Sequence, residues 1–330
     1  MATIGNTFPT LQDLARRLDP NGQVDQAIVP ILHQKNEMLD DMAWVEGNLI
    51  TGNTTTIETG LPTGSWRKLN YGVAQEKAST QQVTDTCGML ESYASVDVDL
   101  ALLNGNTAEW RTSEDKRFLE GMSQNLAGTL IYGDTDLHPE RFLGFTPRFD
   151  DRSAANADNI ILGDGASSYN TSVWLVGWSP DTVFGIVPKG SKAGWTRTDK
   201  GQETETDSNG LKHERLVTHY QWKAGLVVKN WKYIVRIANI DVNNLTKTGS
   251  TGSDLVDLMV QALEQIEELQ SVRPAFYCNR TVRSYLRRQI SNRSNVNLSF
   301  DNVGGKKVMV FDEVPVRRTD KIVSTESTVS

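Results

Sequence analysis

One stretch of the chain carries apolar residues at the spacing of a long amphipathic helix. Between Thr112 and Gly133 these residues are Phe118, Leu119, Met122, Leu126 and Leu130. Side chains that recur three or four positions apart share one face of an α-helix. Thr112 suits the amino-terminal cap, Asp115 stands at the capping-box position and Gly133 suits the stop. The pattern predicts a long helical strut that ends before Gly133.

Two more helices are predicted near the carboxyl end. The first begins at Ser253 and stops before Pro274, and its inner face comprises Leu255, Leu258, Met259, Ala262, Leu263, Ile266 and Leu269. The second runs from Arg280 to Ile290, and its inward positions are Val282, Tyr285, Leu286 and Ile290. Its opposite side carries Arg280, Arg283 and Arg287. This arginine stripe is either a solvated helix face or an ion-pairing surface for a neighbouring subunit.

The middle and the end of the chain are rich in strand patterns. Strands are predicted at 173–178, 183–187, 231–237, 275–278, 306–311 and 314–316. The first two enclose a four-residue turn, and the last two enclose Asp312-Glu313. The strand at 231–237 has one dry face and one mixed face, which contains Lys232 and Arg236. Residues 196–210 are polar and acidic without periodicity, so we expect an exposed loop or a mobile edge.

The amino-terminal part has a different texture. Residues 1–46 have the apolar spacing of a helical arm, broken at Pro20-Asn21-Gly22. From Gly47 to Gly72 the chain is rich in Thr and is interrupted by Gly and Pro, which predicts two strands around a turn at 61–64. The large apolar side chains of this hairpin are few, so it would be marginally stable alone. It either packs on its own domain or is completed by a neighbouring subunit.

The second alternative makes several residues candidate inter-subunit contacts. In the hairpin they are Ile57, Trp66, Arg67 and Tyr71, and in the carboxyl-terminal helix they are the three stripe arginines Arg280, Arg283 and Arg287. Copies in different environments would require the hairpin segment to bend differently. The conformational freedom of glycine would permit this at Gly47, Gly52, Gly60, Gly64 and Gly72.

Composition and charge narrow the class of protein. At 330 residues and 36.7 kDa the chain is expected to form two packed lobes, or one lobe with extensions. Its net charge of -7 disfavours general binding to nucleic acid or to an anionic membrane. Cys87 and Cys278 fit neither a metal site nor a disulfide framework, and we expect buried thiols. No secretory leader or membrane span is recognised, which predicts a protein made and kept in a cytoplasm.

Searches for catalytic chemistry return little. Nucleotide-binding, zinc-protease and serine-hydrolase motifs do not occur. His213 and His219 share a strand face and form a weak candidate metal pair, while Asp97 and Asp99 form an unspecific carboxylate pair. The segment 163–168 lacks the lysine and the helix of a phosphate site and is interpreted as a turn. We therefore predict a protein that is not an enzyme and has no catalytic, cofactor-binding or metal-binding residues.

Several stretches resemble the major capsid proteins of tailed bacteriophages. A recurrent block of those proteins is matched by the strand that ends in Asn279, the helix 280–289 and the strand pair that closes on Val314-Pro315-Val316. Glu313 stands where the family commonly has Gly. Stretches similar to one branch of the family are 42–48, 59–63, 66–67, 103–106, 188–194 and 235–240. The resemblance covers the chain from near Asp40 to near Ile322.

The resemblance implies an α+β architecture of the Hong Kong 97 type. It divides the chain into an N-terminal arm (1–46), an extended β-hairpin loop (47–80) and a peripheral domain with a long spine helix (81–135). A β-rich region follows (136–250), divided between the peripheral and axial domains. A helix with an axial-type α/β block and a tail (251–330) completes the chain.

The resemblance also implies a role. The subunit would assemble in the bacterial host cytoplasm into hexamers and pentamers of an icosahedral head that encloses double-stranded DNA. Expected partners are other copies, the packaged DNA on the inner face without sequence-specific binding, and cement or decoration, portal and scaffolding proteins. No membrane, cofactor or covalent cross-link is expected.

Two alternative functions remain at this stage. A bacterial nanocompartment shell protein of the same fold would enclose a cargo enzyme in place of DNA. A β-rich hydrolase that uses unrecognised carboxylates belongs to another class. A shell protein forms rings and closed particles, whereas such an enzyme forms a small oligomer, so particle size separates these classes.

Overall fold

The computed structural model describes residues 34–103, 107–165, 168–191, 194–206, 209–247, 252–291, 298–303 and 306–330. The chain forms two units. Unit 1 comprises residues 1–34, 89–126 and 194–223, and unit 2 comprises residues 35–88, 127–193 and 224–330. Most of the predicted helical arm lies outside the described residues.

The helices within the described residues are α1 (Met38–Asp41), α2 (Val98–Leu103), α3 (Thr107–Tyr132), α4 (Leu255–Glu264) and α5 (Arg280–Ser291). The predicted strut lies within α3, which begins before Thr112 and ends just before Gly133. The prediction that the next helix starts at Ser253 is wrong. Asp254 caps α4 by accepting a hydrogen bond from the Asp257 amide, and Ser253 is buried.

The strands are β1 (Trp44–Glu46), β2 (Gly52–Gly60), β3 (Ser79–Asp97), β4 (Ile160–Leu162), β5 (Asn170–Trp178), β6 (Val183–Val187), β7 (Thr196–Thr206), β8 (Lys212–Val228), β9 (Ile234–Asp241), β10 (Arg273–Cys278), β11 (Leu298–Val303), β12 (Lys306–Phe311) and β13 (Val314–Arg318). The strands predicted at 173–178, 183–187, 275–278, 306–311 and 314–316 are confirmed. The strand predicted from Trp231 begins only at Ile234. Residues 231–233 form a 3₁₀ turn instead, because the Asn230 side chain accepts a hydrogen bond from the Lys232 amide.

Unit 2 is built around β5, all of whose residues are buried. β5 pairs antiparallel with β9 on one side and with β10 on the other, and β10 pairs parallel with β13. A strand that has two partners and is covered on both faces favours a continuous apolar run, and residues 173–178 of β5 form one after the buried polar residues 170–172. One apolar side packs against α4 and α5 in a single core cluster, which includes Leu175, Leu258 and Leu286.

The hairpin predicted around residues 61–64 is wrong in its register. β2 ends at Gly60, and it pairs antiparallel with the first part of β3, where Gly60 lies opposite Ser79. Residues 61–78 form no strand. Pro62 has no amide to donate to a ladder, and the glycines that follow disfavour a strand, so the chain leaves the sheet at Gly60 and returns at Ser79.

Two of the five candidate hinge glycines have a packing reason. A Cβ at Gly52 would lie 2.0 Å from the Asp85 carbonyl oxygen, and one at Gly47 would lie 2.4 Å from the Gly52 carbonyl oxygen. No side chain fits at these distances. Close backbone approach accounts for glycine at both positions without any bending.

Unit 1 combines α3 with part of β3 and the β7–β8 hairpin. Met122 packs with Ala94 and Tyr220, and the Tyr220 hydroxyl donates to Asp115 at 2.6 Å. Asp115 is therefore not part of a capping box. Burial and this hydrogen bond raise the pKa of Tyr220 to about 12. Residues 196–206, predicted as a loop or an edge, form a strand that pairs with β8 and is exposed along nearly its whole length.

The remaining predictions concern the segment before Gly47 and the two thiols. Residues 34–46 contain only the short α1 and the strand β1, which pairs parallel with β6, so the helical prediction for 34–46 is largely wrong. Cys278 is buried, as predicted, and burial raises its pKa to about 12. Cys87 is only half-buried.

Candidate subunit-contact surfaces

The segment that connects β2 to β3 is exposed throughout. Every residue from 61 to 80 is classed as exposed, and the large apolar members are Leu61, Trp66, Leu69, Tyr71 and Val73. We call residues 61–80, which include the first two residues of β3, the contact loop. Trp66 is fully exposed. Concentrated exposed apolar side chains are characteristic of interaction surfaces.

The contact loop has a defined shape near its base. The Glu76 carboxylate accepts hydrogen bonds from the amides of Thr63 and Gly64, at 2.8 and 3.0 Å. Gly64 has φ of +66°, in the left-handed region that glycine adopts without strain. These bonds join the two ends of the loop, so part of the entropy of ordering it is lost before any partner binds.

The four candidate contact residues of the predicted hairpin lie either on the contact loop or on strand β2. Trp66, Arg67 and Tyr71 lie on the contact loop and are exposed. Ile57 lies on β2 opposite Gln81 and is half-buried. The structure therefore groups three of these four residues in one exposed segment.

The arginine stripe lies on α5 as the periodicity predicted. Arg280 and Arg287 are exposed and Arg283 is half-buried, while Val282 and Leu286 pack into the core. The helix is fixed at its start by Asn279. The Asn279 side-chain oxygen accepts from the Val282 amide at 2.8 Å, and its amide group donates to the hydroxyls of Thr171 and Ser324.

A buried charge network was missed by sequence reasoning. Arg236 lies in β9 and is almost completely buried. Its guanidinium donates to Glu326 at 2.9 Å, to the Phe149 carbonyl at 2.8 Å and to the Ser172 hydroxyl at 3.1 Å. Tyr132 also donates to Glu326, and burial together with that carboxylate raises the pKa of Tyr132. The sequence contains one signal of this network, which is an arginine among apolar strand residues. The alternating pattern places that arginine on a mixed face and does not reveal its burial.

A second group of contacts joins residues 35–41 to the end of β13. Asn36 forms a β-bridge with Thr319, and Glu37 exchanges two hydrogen bonds with the backbone of Arg318. Asp41 pairs with Arg317 at 3.2 Å and accepts from Tyr277 at 2.8 Å. We call residues 35–41 the clasp segment. The side chains of Glu37 and Asp41 are half-buried, and their contacts with residues 277, 317 and 318 favour a single backbone conformation of the segment.

The pKa values of the two clasp carboxylates move in opposite directions. Burial would raise the pKa of Glu37, but hydrogen bonds from Lys35 and the Arg318 amide and the charge of Lys35 bring it below its ordinary value. Burial raises the pKa of Asp41, and the Tyr277 hydrogen bond and the Arg317 charge offset only part of that rise. Glu37 is the member that stabilises the clasp as an anion.

The weak chemical candidates have structural roles in the described residues. His219 stacks on Tyr93 with ring centroids 4.5 Å apart and lies 3.3 Å from Glu91. Asp97 accepts a hydrogen bond from the Asp99 amide. No group of three potential ligands suitable for a metal ion occurs in the described part of the chain. No helix there has the length and apolar character needed to cross a bilayer.

The mixed α+β architecture is that of a phage capsid subunit of the Hong Kong 97 type. The chain belongs to the GP7 family of major capsid proteins, whose family model matches residues 19–330. A chain in the near-atomic cryo-EM structure of bacteriophage Epsilon15 superposes with a TM-score of 0.81 and 34% identity, over 100% of this chain and 99% of that chain.

Weaker structural likenesses extend to other shells. The capsid of bacteriophage JBD30 matches at 11% identity and a TM-score of 0.48, over 89% of this chain and 93% of that one. The holo-SrpI encapsulin complex from Synechococcus elongatus matches at 9% identity and 0.39, over 73% and 93%. Likenesses at this level carry no argument about function. No curated protein sequence matches the chain.

The predicted fold class and function are confirmed by the family and by the Epsilon15 likeness. The chain is a major capsid protein of a tailed bacteriophage, its place is the virion capsid and its role is structural.

Proposed function

We propose that the chain assembles into hexamers and pentamers of an icosahedral head, and that the contact loop of each copy is covered by a neighbouring copy. The observation that carries this proposal is the unbroken exposure of residues 61–80 together with five large apolar side chains in the same segment. A loop that is fully exposed in one subunit but shaped in advance by Glu76 fits a role between subunits.

The energetic argument concerns Trp66, Leu69 and Tyr71. Full burial of a large apolar side chain stabilises by about 1.5–3 kcal/mol. Each loop buried on a neighbour would therefore contribute several such increments, and a closed shell repeats them at every contact. Trp and Tyr are also the residue types that dominate interface energetics.

The test replaces Trp66 and Tyr71 by Ala and measures the fraction of protein in rings and shells by sedimentation and negative-stain microscopy. We expect the double variant to remain as folded small species at concentrations where the wild type assembles. The matched control replaces Gln75 and Lys77, which are exposed polar residues of the same loop, and should assemble normally. Normal shells from the Trp66 and Tyr71 variant would contradict the proposal.

We also propose that the subunit has no catalytic activity and meets the packaged double-stranded DNA on the inner face without reading its sequence. The net charge of -7 supports the second part of this proposal, because a negatively charged shell does not adhere strongly to the DNA inside it. Portal, scaffolding and cement or decoration proteins would be its other partners. Binding of the capsid protein to two unrelated duplexes at physiological salt should be weak and equal, and strong preference for one would contradict this part.

A further inference from the structure

Two helices of unit 2 carry opposite charge. The segment from Asp254 to Val272, which contains α4, has five carboxylates and no basic residue: Asp254, Asp257, Glu264, Glu267 and Glu268. The helix α5 has four arginines and no acidic residue: Arg280, Arg283, Arg287 and Arg288. Such separation of charge along neighbouring sequence is a property of this chain that its fold does not require.

The two helices lie side by side and turn their charges outward. Gln289 at the end of α5 accepts from the Leu255 amide and donates to the Ser253 carbonyl at the start of α4. Leu258 and Leu263 of α4 and Val282 and Leu286 of α5 share one core cluster. Asp257, Glu264 and Glu268 are exposed on one helix and its extension, and Arg280 and Arg287 are exposed on the other.

Several of these charged groups have contacts within the chain, Asp254 and Arg287 among them. Glu267 pairs with Lys232 at 2.5 Å, and Arg288 lies over the Tyr285 ring at 5.0 Å from its centroid. Burial would raise the pKa of Asp320, but hydrogen bonds from Arg318 and the Lys35 amide, with a smaller contribution from the charge of Arg280, bring it below its ordinary value. We call the exposed carboxylates Asp257 and Glu264 of α4, with Glu268 in the segment just after it, the acidic face of α4; exposed Val260 provides an apolar position among them.

We propose that α5 of one copy lies against the acidic face of α4 on the next copy around a capsomer ring. This inference rests on the proposed assembly into hexamers and pentamers. This contact brings arginines against carboxylates, so that opposite charges meet. In the proposed capsomers the contact is repeated head-to-tail, and head-to-tail contacts generate rings.

The test uses two charge-reversed chains. The acidic variant carries Arg280→Glu and Arg287→Glu, and the basic variant carries Glu264→Arg and Glu268→Arg. Each alone should lose ring and shell yield about tenfold or more, because both contact faces then have the same sign. An equimolar mixture should regain six-membered rings, in which the two chains alternate. Five-membered rings cannot alternate, so closed shells with pentamers should not return.

Controls separate this inference from the proposed assembly. Glu140→Arg with Asp150→Arg reverses two exposed carboxylates elsewhere in unit 2 and should leave ring yield unchanged. Folding of each variant is checked by circular dichroism and thermal melting. If a reversed chain does not fold, Gln at the same four positions tests the claim through reduced salt dependence of ring formation.

The possible failures are distinguishable. A wild-type chain that forms no rings would contradict the proposed assembly itself. A wild-type chain that assembles, with variants that assemble equally well or a mixture of folded variants that restores no rings, would overturn the helix-to-helix inference and leave the contact loop proposal standing.

Discussion

Arg236 and Glu326 form a buried ion pair at 2.9 Å although they are ninety residues apart in the sequence. The guanidinium is also bonded to Ser172 and to the Phe149 carbonyl, and it lies over the Trp174 ring at 5.2 Å from the centroid. A buried charge is tolerated only when it is paired and hydrogen-bonded. The carboxyl-terminal segment thus completes the central sheet of unit 2.

Replacing Glu326 by Ala should lower the free energy of unfolding by about 3–5 kcal/mol, because it leaves a buried guanidinium without its counter-charge. The measurement is chemical unfolding of wild type and variant at one protein concentration and one assembly state. The control is Asp181→Ala, which breaks an exposed pair with Lys229 and should cost less than about 1 kcal/mol. Equal losses for the two variants would contradict a special role for Glu326.

Stability conferred by Glu37 should disappear in acid. Its pKa lies below the ordinary value of 4.5, so the folded state holds the anion more strongly than the unfolded state does. The contribution is complete above 4.5 and is lost as the pH falls through the folded-state pKa. We expect the wild type to melt higher than Glu37→Gln at neutral pH and the difference to vanish at low pH. A difference independent of pH would contradict this.

Replacing Glu313 by Gly should stabilise unit 2. Asp312 and Glu313 join β12 to β13 with φ values of +44° and +71°, so Glu313 adopts the left-handed region that glycine occupies without strain. Relief of this backbone strain should raise the free energy of unfolding by about 0.5–1 kcal/mol. Glu313→Ala removes the same carboxylate but keeps the strain, so it should give no gain. A gain from both variants would assign the effect to charge.

Replacing Gly52 by Ala should destabilise the β2–β3 ladder at the end remote from the contact loop. The new Cβ would lie 2.0 Å from the Asp85 carbonyl oxygen, and backbone cannot yield as a flexible side chain does. A cost of about 1–3 kcal/mol is expected from such overpacking. Gly72→Ala is the matched control, because a Cβ there meets nothing within 4 Å. The measurement is the melting temperature of each variant relative to the wild type at equal assembly state. Equal melting temperatures for the two variants would contradict the prediction.

Helices and strands that are determined by their own local sequence pattern were largely predicted correctly. The helices α4 and α5 have apolar stripes in their own sequence, and residues 173–178 of β5 are an apolar run. The predicted end of α4 is wrong, because the helix stops at Glu264 and does not continue towards Pro274. The start of α3 was placed too late, because Asp115 looked like a capping residue but bonds to Tyr220, which is distant in sequence.

Elements that depend on distant partners were predicted poorly. The strand that pairs with β2 begins at Ser79, after a long excursion that no local periodicity reveals. β7 is polar on both faces and becomes a strand only because β8 supplies its hydrogen bonds. The sequence identified Trp66, Arg67 and Tyr71 as contact candidates. It left open whether they pack on their own subunit, because the exposure of these side chains in the folded chain cannot be obtained from sequence.

The distance in sequence between Arg236 and Glu326 has a consequence for synthesis. The ribosome adds Arg236 ninety residues before Glu326, so a chain truncated between them contains the cation without its counter-charge. We expect such a chain to be less stable than the full-length chain, because its guanidinium is buried without a paired carboxylate.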